Sequence, residues 1–253
     1  MTTIDLNSDC GESYGPWRMG DDAAILKIVT TANIACGFHA GDPDTMVETL
    51  RLAKESRVSV GAHPGFDDKP GFGRRILPMA PEAMTRMVAY QIGAFMGMAA
   101  LVGVPVTHVK AHGALSNFAC VNRPAADAIV AAVKAVDPST TLLAVATTEL
   151  ERAALDAGLN VASEIFADRT YEPDGQLMSR AKPGSIIHEA DVAAAHTVEM
   201  VKARAVIAHD GTRVATPIHS ICVHGDNPHA VGVAAAVRKA LEASGVTVAP
   251  FAR

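Results

Sequence analysis

The 253-residue chain lacks the features that define several protein classes. Aromatic residues make up 4% of it and charged residues 19%. Its four cysteines (Cys10, Cys36, Cys120 and Cys222) are widely spaced and form no CxxC pair. That excludes a dense disulfide framework and points to reduced thiols in a cytoplasmic protein. The formal net charge is -5, without long runs of either sign. A basic footprint for nucleic acid is therefore missing, as is a polybasic membrane patch. The opening MTTIDLNSD has no positively charged n-region and no apolar h-region, so no signal peptide is expected. The most apolar stretch, 84–102, is interrupted by Arg86, Tyr90 and Gln91, and no membrane span is expected. There is no GxxxxGK[ST] loop, no HExxH and no GxSxG elbow, and GFGRRI lacks the third glycine of a dinucleotide fingerprint.

What the chain has is apolar mass, 49% of its residues, arranged in alternation. Continuous apolar runs suit buried parallel strands. They predict strands at 4–7, 33–36, 59–62, 107–110, 142–145, 161–166 and 218–223, with a last one at 246–249. Helix-like segments fall between them, at 81–101, 124–136, 148–157, 191–202 and 228–244. Another opens at Asp42-Pro43, a good N-cap followed by a good first helical residue. An irregular stretch spans 168–185, and Asp210-Gly211 marks a hairpin within 206–214. About eight βα repeats in one domain spanning 1–253 predict a (β/α) barrel. A doubly wound open sheet is the competitor, but such a sheet usually builds its site at one switch point. Here five or six strand ends carry polar groups, which favours closure.

Those strand ends hold the candidate chemistry. Four end in histidine within two residues of glycine or proline: His39, His63, His112 and His224. A fifth ends in Glu164, Asp168 and Arg169. The first strand leads into Asp9 and Glu12, which read either as a loop carboxylate plus a capping one, or as acid/base groups or metal ligands. Lys110 stands inside an apolar strand, where a cation is costly unless it meets a carboxylate or a pocket. Arg74 and Arg75 sit in a glycine-rich loop, as a solvated turn or an anion clamp. His188, His196, His209, His219 and His229 fall on helices, hairpins or strand starts and read as solvent or packing residues. A His/His/Asp metal set drawn from different strands, using Asp9 with His39, His63 or His112, is one further option.

Taken in order, DLNSDCGE, TANIACGFHAGDP, GAHPGF, GFGRR, YQIGA, HVKAHGALSN, EIFADRTY and ICVHGDNP resemble the LamB/YcsF family over nearly the whole chain. The resemblance implies a TIM-like, seven-stranded variant of the β/α barrel, similar to glycoside hydrolase and deacetylase barrels. It implies ATP-dependent opening of the 5-oxo-L-proline lactam to L-glutamate, with ATP as co-substrate and 5-oxoprolinase subunits B and C as partners. In the reading built on it, Asp9, Glu12, Lys110 and His112 are catalytic. His39, His63, Arg74, Asn117, Glu164, Asp168, Arg169, His224 and Asp226 bind substrate. Two alternatives stand beside it: a metal-dependent hydrolase or deacetylase working without ATP, and a non-catalytic lactam-binding protein.

Overall fold

The computed structural model describes residues 2–225 and 229–251. Seven parallel strands close into a ring: β1 (Thr3–Cys10), β2 (Thr31–Ala35), β3 (Ser59–His63), β4 (Val106–Val109), β5 (Thr141–Val145), β6 (Val161–Phe166) and β9 (Ser220–Cys222). Closure is made by β9, which pairs with β6 on one side and with β1 on the other. The eighth apolar run does not enter the ring. β10 (Thr247–Val248) only extends the sheet beside the first residues of β1. The predicted hairpin, β7 (Ala205–Ile207) with β8 (Arg213–Ala215), is an antiparallel pair outside the barrel. The barrel is therefore seven-stranded, not eight.

Helices α1 (Asp22–Ile25), α2 (Pro43–Ser56), α3 (Pro81–Val102), α4 (Gly113–Val121), α5 (Arg123–Val136), α6 (Glu149–Asp156), α7 (Ala190–Ala203) and α8 (Ala230–Ala243) accompany the strands. Asp42 caps α2 as its sequence predicts, Oδ1 accepting from the Thr45 amide at 2.8 Å. Asn122 does the same for α5, accepting from the Ala125 amide at 3.0 Å. α3 is long and apolar enough by length and composition to cross a membrane. Here it is a barrel helix that buries Met84, Val88, Ile92, Phe95 and Ala99 and packs on α5 and α2. α4 was not expected; it opens directly after His112, where Gly113 at φ +50° makes the corner.

Strand period sets what faces the barrel axis. On β1, Ile4, Leu6 and Cys10 pack into the apolar shell beneath the helices. Asp5, Asn7 and Asp9 alternate with them and bond to Ser220 on neighbouring β9, to Glu164 on β6 and to Lys110 just past β4, respectively. The barrel centre is therefore partly polar, unlike the branched aliphatic layers usual in such barrels.

Candidate active site

The polar axis of the barrel is a connected network. At its base Asp5 accepts from the hydroxyls of Thr30 and Thr31, each at 2.6 Å, and from Ser220. Burial pushes its carboxyl up to about 6. One layer higher, Asn7 Nδ2 donates to Ser220 Oγ at 2.7 Å and to Glu164 Oε1 at 2.9 Å. Asn33 Nδ2 donates to Asn7 Oδ1 and Asp9 Oδ1, both at 2.8 Å, while its Oδ1 lies 2.8 Å from His108 Nε2. Burial, then the Lys110 charge, pushes the His108 ring down to about 3, so it is neutral.

Lys110 crowns this network at 4% exposure. Its ammonium lies 3.0 Å from Asp9 Oδ1 and 3.0 Å from Glu164 Oε1, with Cys222 Sγ at 3.1 Å and Asn7 Oδ1 at 3.3 Å. Burial alone would lower its pKa; Asp9, Cys222 and Glu164 instead hold it well above the ordinary lysine value. Burial would likewise raise Asp9, but His63 and Lys110 hold that carboxyl well below the usual range. Burial does raise Glu164. An ionised Asp9 thus stands at the top of the barrel, held in place by Lys110 and Asn33.

Above it opens a cavity of about 420 Å³ at the C-terminal ends of the strands, where barrel enzymes build their sites. Asp9, Glu12, His63, Lys110, His112 and His224 line its floor, and Arg74, Asn117, Arg169 and Arg180 line its walls. Arg75 pairs with Asp68 and points to solvent, so of that arginine pair only Arg74 faces the cavity. Arg169 is buried, and it donates from Nε to Ser185 O at 3.1 Å and from Nη2 to Met178 O at 2.6 Å. These bonds tie down the irregular 168–185 segment. Burial and neighbouring Arg180 push its pKa down to about 10.

On one side of the cavity, three imidazoles and a carboxylate converge. One donor atom each from Glu12, His39, His63 and His112 lie within 4.8 Å of one another, and all four residues are buried. His63 Nε2 is 3.1 Å from His112 Nδ1, and Glu12 Oε1 is 3.7 Å from His112 Nδ1 and 3.6 Å from His39 Nε2. Burial and the neighbouring His112 and His63 hold His39 well below the ordinary histidine value; burial, then His63, pushes His112 down to about 3. Two glycines make room for the cluster. A Cβ at Gly65 would lie 2.6 Å from His39 Nδ1. One at Gly73, where φ is +61°, would lie 2.6 Å from His39 Cβ and 2.8 Å from His112 Cδ2. Gln91 on α3 clamps the Gly65 backbone, accepting from its amide at 3.0 Å and donating to its carbonyl at 2.9 Å.

The structure thus gathers most of the sequence-predicted residues, but in separate groups. His39, His63 and His112 come together with Glu12, and Asp9 stands next to them, its Oδ2 3.4 Å from His63 Nε2. His224 belongs to another group: its Nδ1 donates to Asp168 at 2.8 Å, and its Nε2 lies 3.1 Å from Arg180 Nη2. Glu164 lies below the mouth as a partner of Lys110 and Asn7. Asp226 lies outside the described residues. Of the histidines read as packing residues, His219 accepts from the Ser163 amide at 2.9 Å, whereas His188 and His229 line a neighbouring cavity. Sequence reasoning missed Asp5, Asn7, Asn33, His108, Gln91 and Arg180. Alternation along TIDLNSD was the available signal for the first two.

Comparison with known proteins agrees with this architecture. The sequence profile of the LamB/YcsF family matches residues 4–253. A protein of Rhodopseudomonas palustris (strain BisB5), named as the A subunit of 5-oxoprolinase, is 55% identical over 251 residues, covering 99% of each chain. The crystal structure of a lactam utilization protein from Thermus thermophilus superposes with a TM-score of 0.93 at 47% identity, over 99% of this chain and 100% of that one. The catalytic domain of a peptidoglycan N-acetylglucosamine deacetylase from Eubacterium rectale shares the fold alone, with a TM-score of 0.53 at 12% identity over 98% of this chain and 88% of that one.

Proposed function

The chain belongs to the LamB/YcsF family, and from that premise we propose that it is the A subunit of a 5-oxoprolinase, opening the lactam of 5-oxo-L-proline to L-glutamate. The observation that carries this reading is the 55% identity, over 99% of both chains, with a protein of that name. The chemistry of the cavity supports it. 5-Oxoproline is a small anion, and Arg74 and Arg180 line the cavity. These two arginines take the substrate carboxylate. The lactam carbonyl then lies over Asp9, with the histidine cluster to one side.

Ring opening leaves the amine tethered to the new carboxyl group. Tethered nucleophiles act at effective molarities of about 10⁵ M or more, so reclosure competes strongly with simple hydrolysis. Phosphorylation of the lactam oxygen by ATP makes C5 electrophilic and couples the step to a favourable reaction. With no GxxxxGK[ST] loop in the sequence, we assign phosphoryl transfer to assembly with the B and C subunits. The catalytic work assigned to this chain is positioning. Asp9, ionised and anchored by Lys110 and Asn33, orients the attacking water; Glu12 and His112 handle its proton. A positioned acid or base contributes about 10²–10⁴-fold in rate. Four buried free cysteines suit a reducing compartment, and we place the protein in the cytoplasm.

The test is glutamate formation from 5-oxoproline and ATP by the purified chain combined with candidate B and C subunits. The proposal expects turnover with all three components and none when this chain is omitted. Equal turnover without it would refute the assignment.

A further inference from the structure

The tautomers of two buried histidines can be read from their backbone partners. His63 Nδ1 lies 2.8 Å from the Lys110 carbonyl oxygen, and His112 Nε2 lies 2.9 Å from the Phe72 carbonyl oxygen. A carbonyl can only accept, so each of these nitrogens carries the ring proton. With both rings neutral, the opposite nitrogens, His63 Nε2 and His112 Nδ1, present lone pairs to each other across 3.1 Å. Carboxylate oxygens flank both: Glu12 Oε1 at 3.7 Å from His112 Nδ1, and Asp9 Oδ2 at 3.4 Å from His63 Nε2. With both rings neutral, His63 Nε2, His112 Nδ1 and Glu12 Oε1 converge with no donor among them. Beside them His39 is 1% exposed, and neither of its ring nitrogens has a hydrogen-bond partner. Burying imidazole nitrogens without partners is costly.

We propose that Glu12, His63 and His112 bind one divalent transition-metal ion of the zinc class, with His39 as an adjacent fourth donor. Donors of a tetrahedral zinc site, with bonds of about 2.0–2.1 Å, sit about 3.3 Å apart, close to the 3.1 and 3.7 Å separations at His112. Metal-bound imidazoles characteristically donate their second N–H to a backbone carbonyl or carboxylate, as both rings do here. His39 stacks parallel to His112, with ring centroids 3.7 Å apart and planes 5° apart. An ion in the plane of the His112 ring is therefore out of the plane of His39, which must turn to bind it. Three fixed ligands and one adjustable position describe a catalytic rather than a structural zinc site. Glu12, His63 and His112 border the cavity, next to Asp9. An ion there would supply a Lewis acid and an acidified water, and with it bound Glu12 and His112 would serve as ligands in place of the proton-handling role given to them above.

The proposal stands apart from the substrate assignment, since it is read from metal binding and not from lactam turnover. Full-length protein stripped with chelator is titrated with Zn(II), and separately with Co(II) as the spectroscopic probe. The expected result is one ion per chain by elemental analysis, a tetrahedral-type Co(II) visible spectrum and a rise in the unfolding midpoint with added Zn(II). His63→Gln and Glu12→Gln, checked for folding by circular dichroism, should each weaken the ion by more than the roughly 10–100-fold typical of losing an outer-shell partner. Stripped protein that takes up no Zn(II) or Co(II) would overturn the proposal. So would folded variants that bind like the parent, because the facing nitrogens would then share a proton instead.

Discussion

Replacing Lys110 with methionine keeps much of the side-chain volume and removes the charge. The ammonium lies 3.0 Å from both Asp9 Oδ1 and Glu164 Oε1 in the barrel interior. Without it, two buried carboxylates share a site with no counterion. Removing one partner of a buried ion pair costs about 3–5 kcal/mol, and here one cation serves two anions, so the upper part of that range is expected near pH 8. The cost must depend on pH. Glu164 is already raised by burial, even with the lysine present, and loses its main stabiliser. A carboxyl raised in the folded state favours folding below its unfolded value and loses that contribution as pH rises through its folded value. Lys110→Met should therefore come closest to the parent near pH 4–5 and fall away as pH rises. Urea unfolding followed by circular dichroism at pH 5, 6.5 and 8 reads both effects. Adding Glu164→Gln should recover a large part of the loss at pH 8 by removing one of the two anions. A Lys110→Met variant within about 1 kcal/mol of the parent at pH 8, well under the cost of an uncompensated buried charge, would refute the reasoning. So would a loss that does not change with pH.

Three further perturbations test the supports of the site. Asp5, pushed from 3.8 to about 6 by burial, should cost the parent about 3 kcal/mol as pH rises from about 4 through 6, at 1.36 kcal/mol per pKa unit. Urea unfolding of Asp5→Asn over that range should lack this slope. Gly73→Ala places a methyl group against His39 and His112 at a left-handed φ; a loss of about 1–3 kcal/mol, with altered imidazole NMR signals, is expected. Gln91→Leu keeps an apolar side chain on α3 but leaves the Gly65 amide and carbonyl without their partner, at about 1–3 kcal/mol each. Hydrogen exchange should show the Gly65 amide deprotected in that variant.

Which parts of this site were legible in the sequence follows from how far each depends on ring closure. The strand-end histidines could be found because the barrel rim collects every strand's C-terminal end, whatever the register. Lys110 stood out because a cation in an apolar run demands a partner. Its partners could not be named, since Asp9 and Glu164 lie on strands far away in sequence and only closure brings them to it. The same holds for Asn7 with Ser220, 213 positions apart. His108 stayed hidden because the strand around it reads as buried and apolar, and its role rests on Asn33 across the interior. The distinct grouping of His224 with Asp168 and Arg180 depends on the irregular 168–185 segment, which has no periodicity to read. α4 was missed because Gly113 reads as a breaker, whereas its positive φ is what turns the chain from the rim into the helix.

The most direct test of the account is turnover of the three-component complex containing Asp9→Asn. The substitution keeps the shape and the Asn33 contact but removes the charge held by Lys110. The account predicts a complex that assembles normally and forms glutamate from 5-oxoproline about 10²–10⁴-fold more slowly. Glutamate formation at the parent rate would contradict it, and would remove the barrel mouth as the place where the lactam is opened.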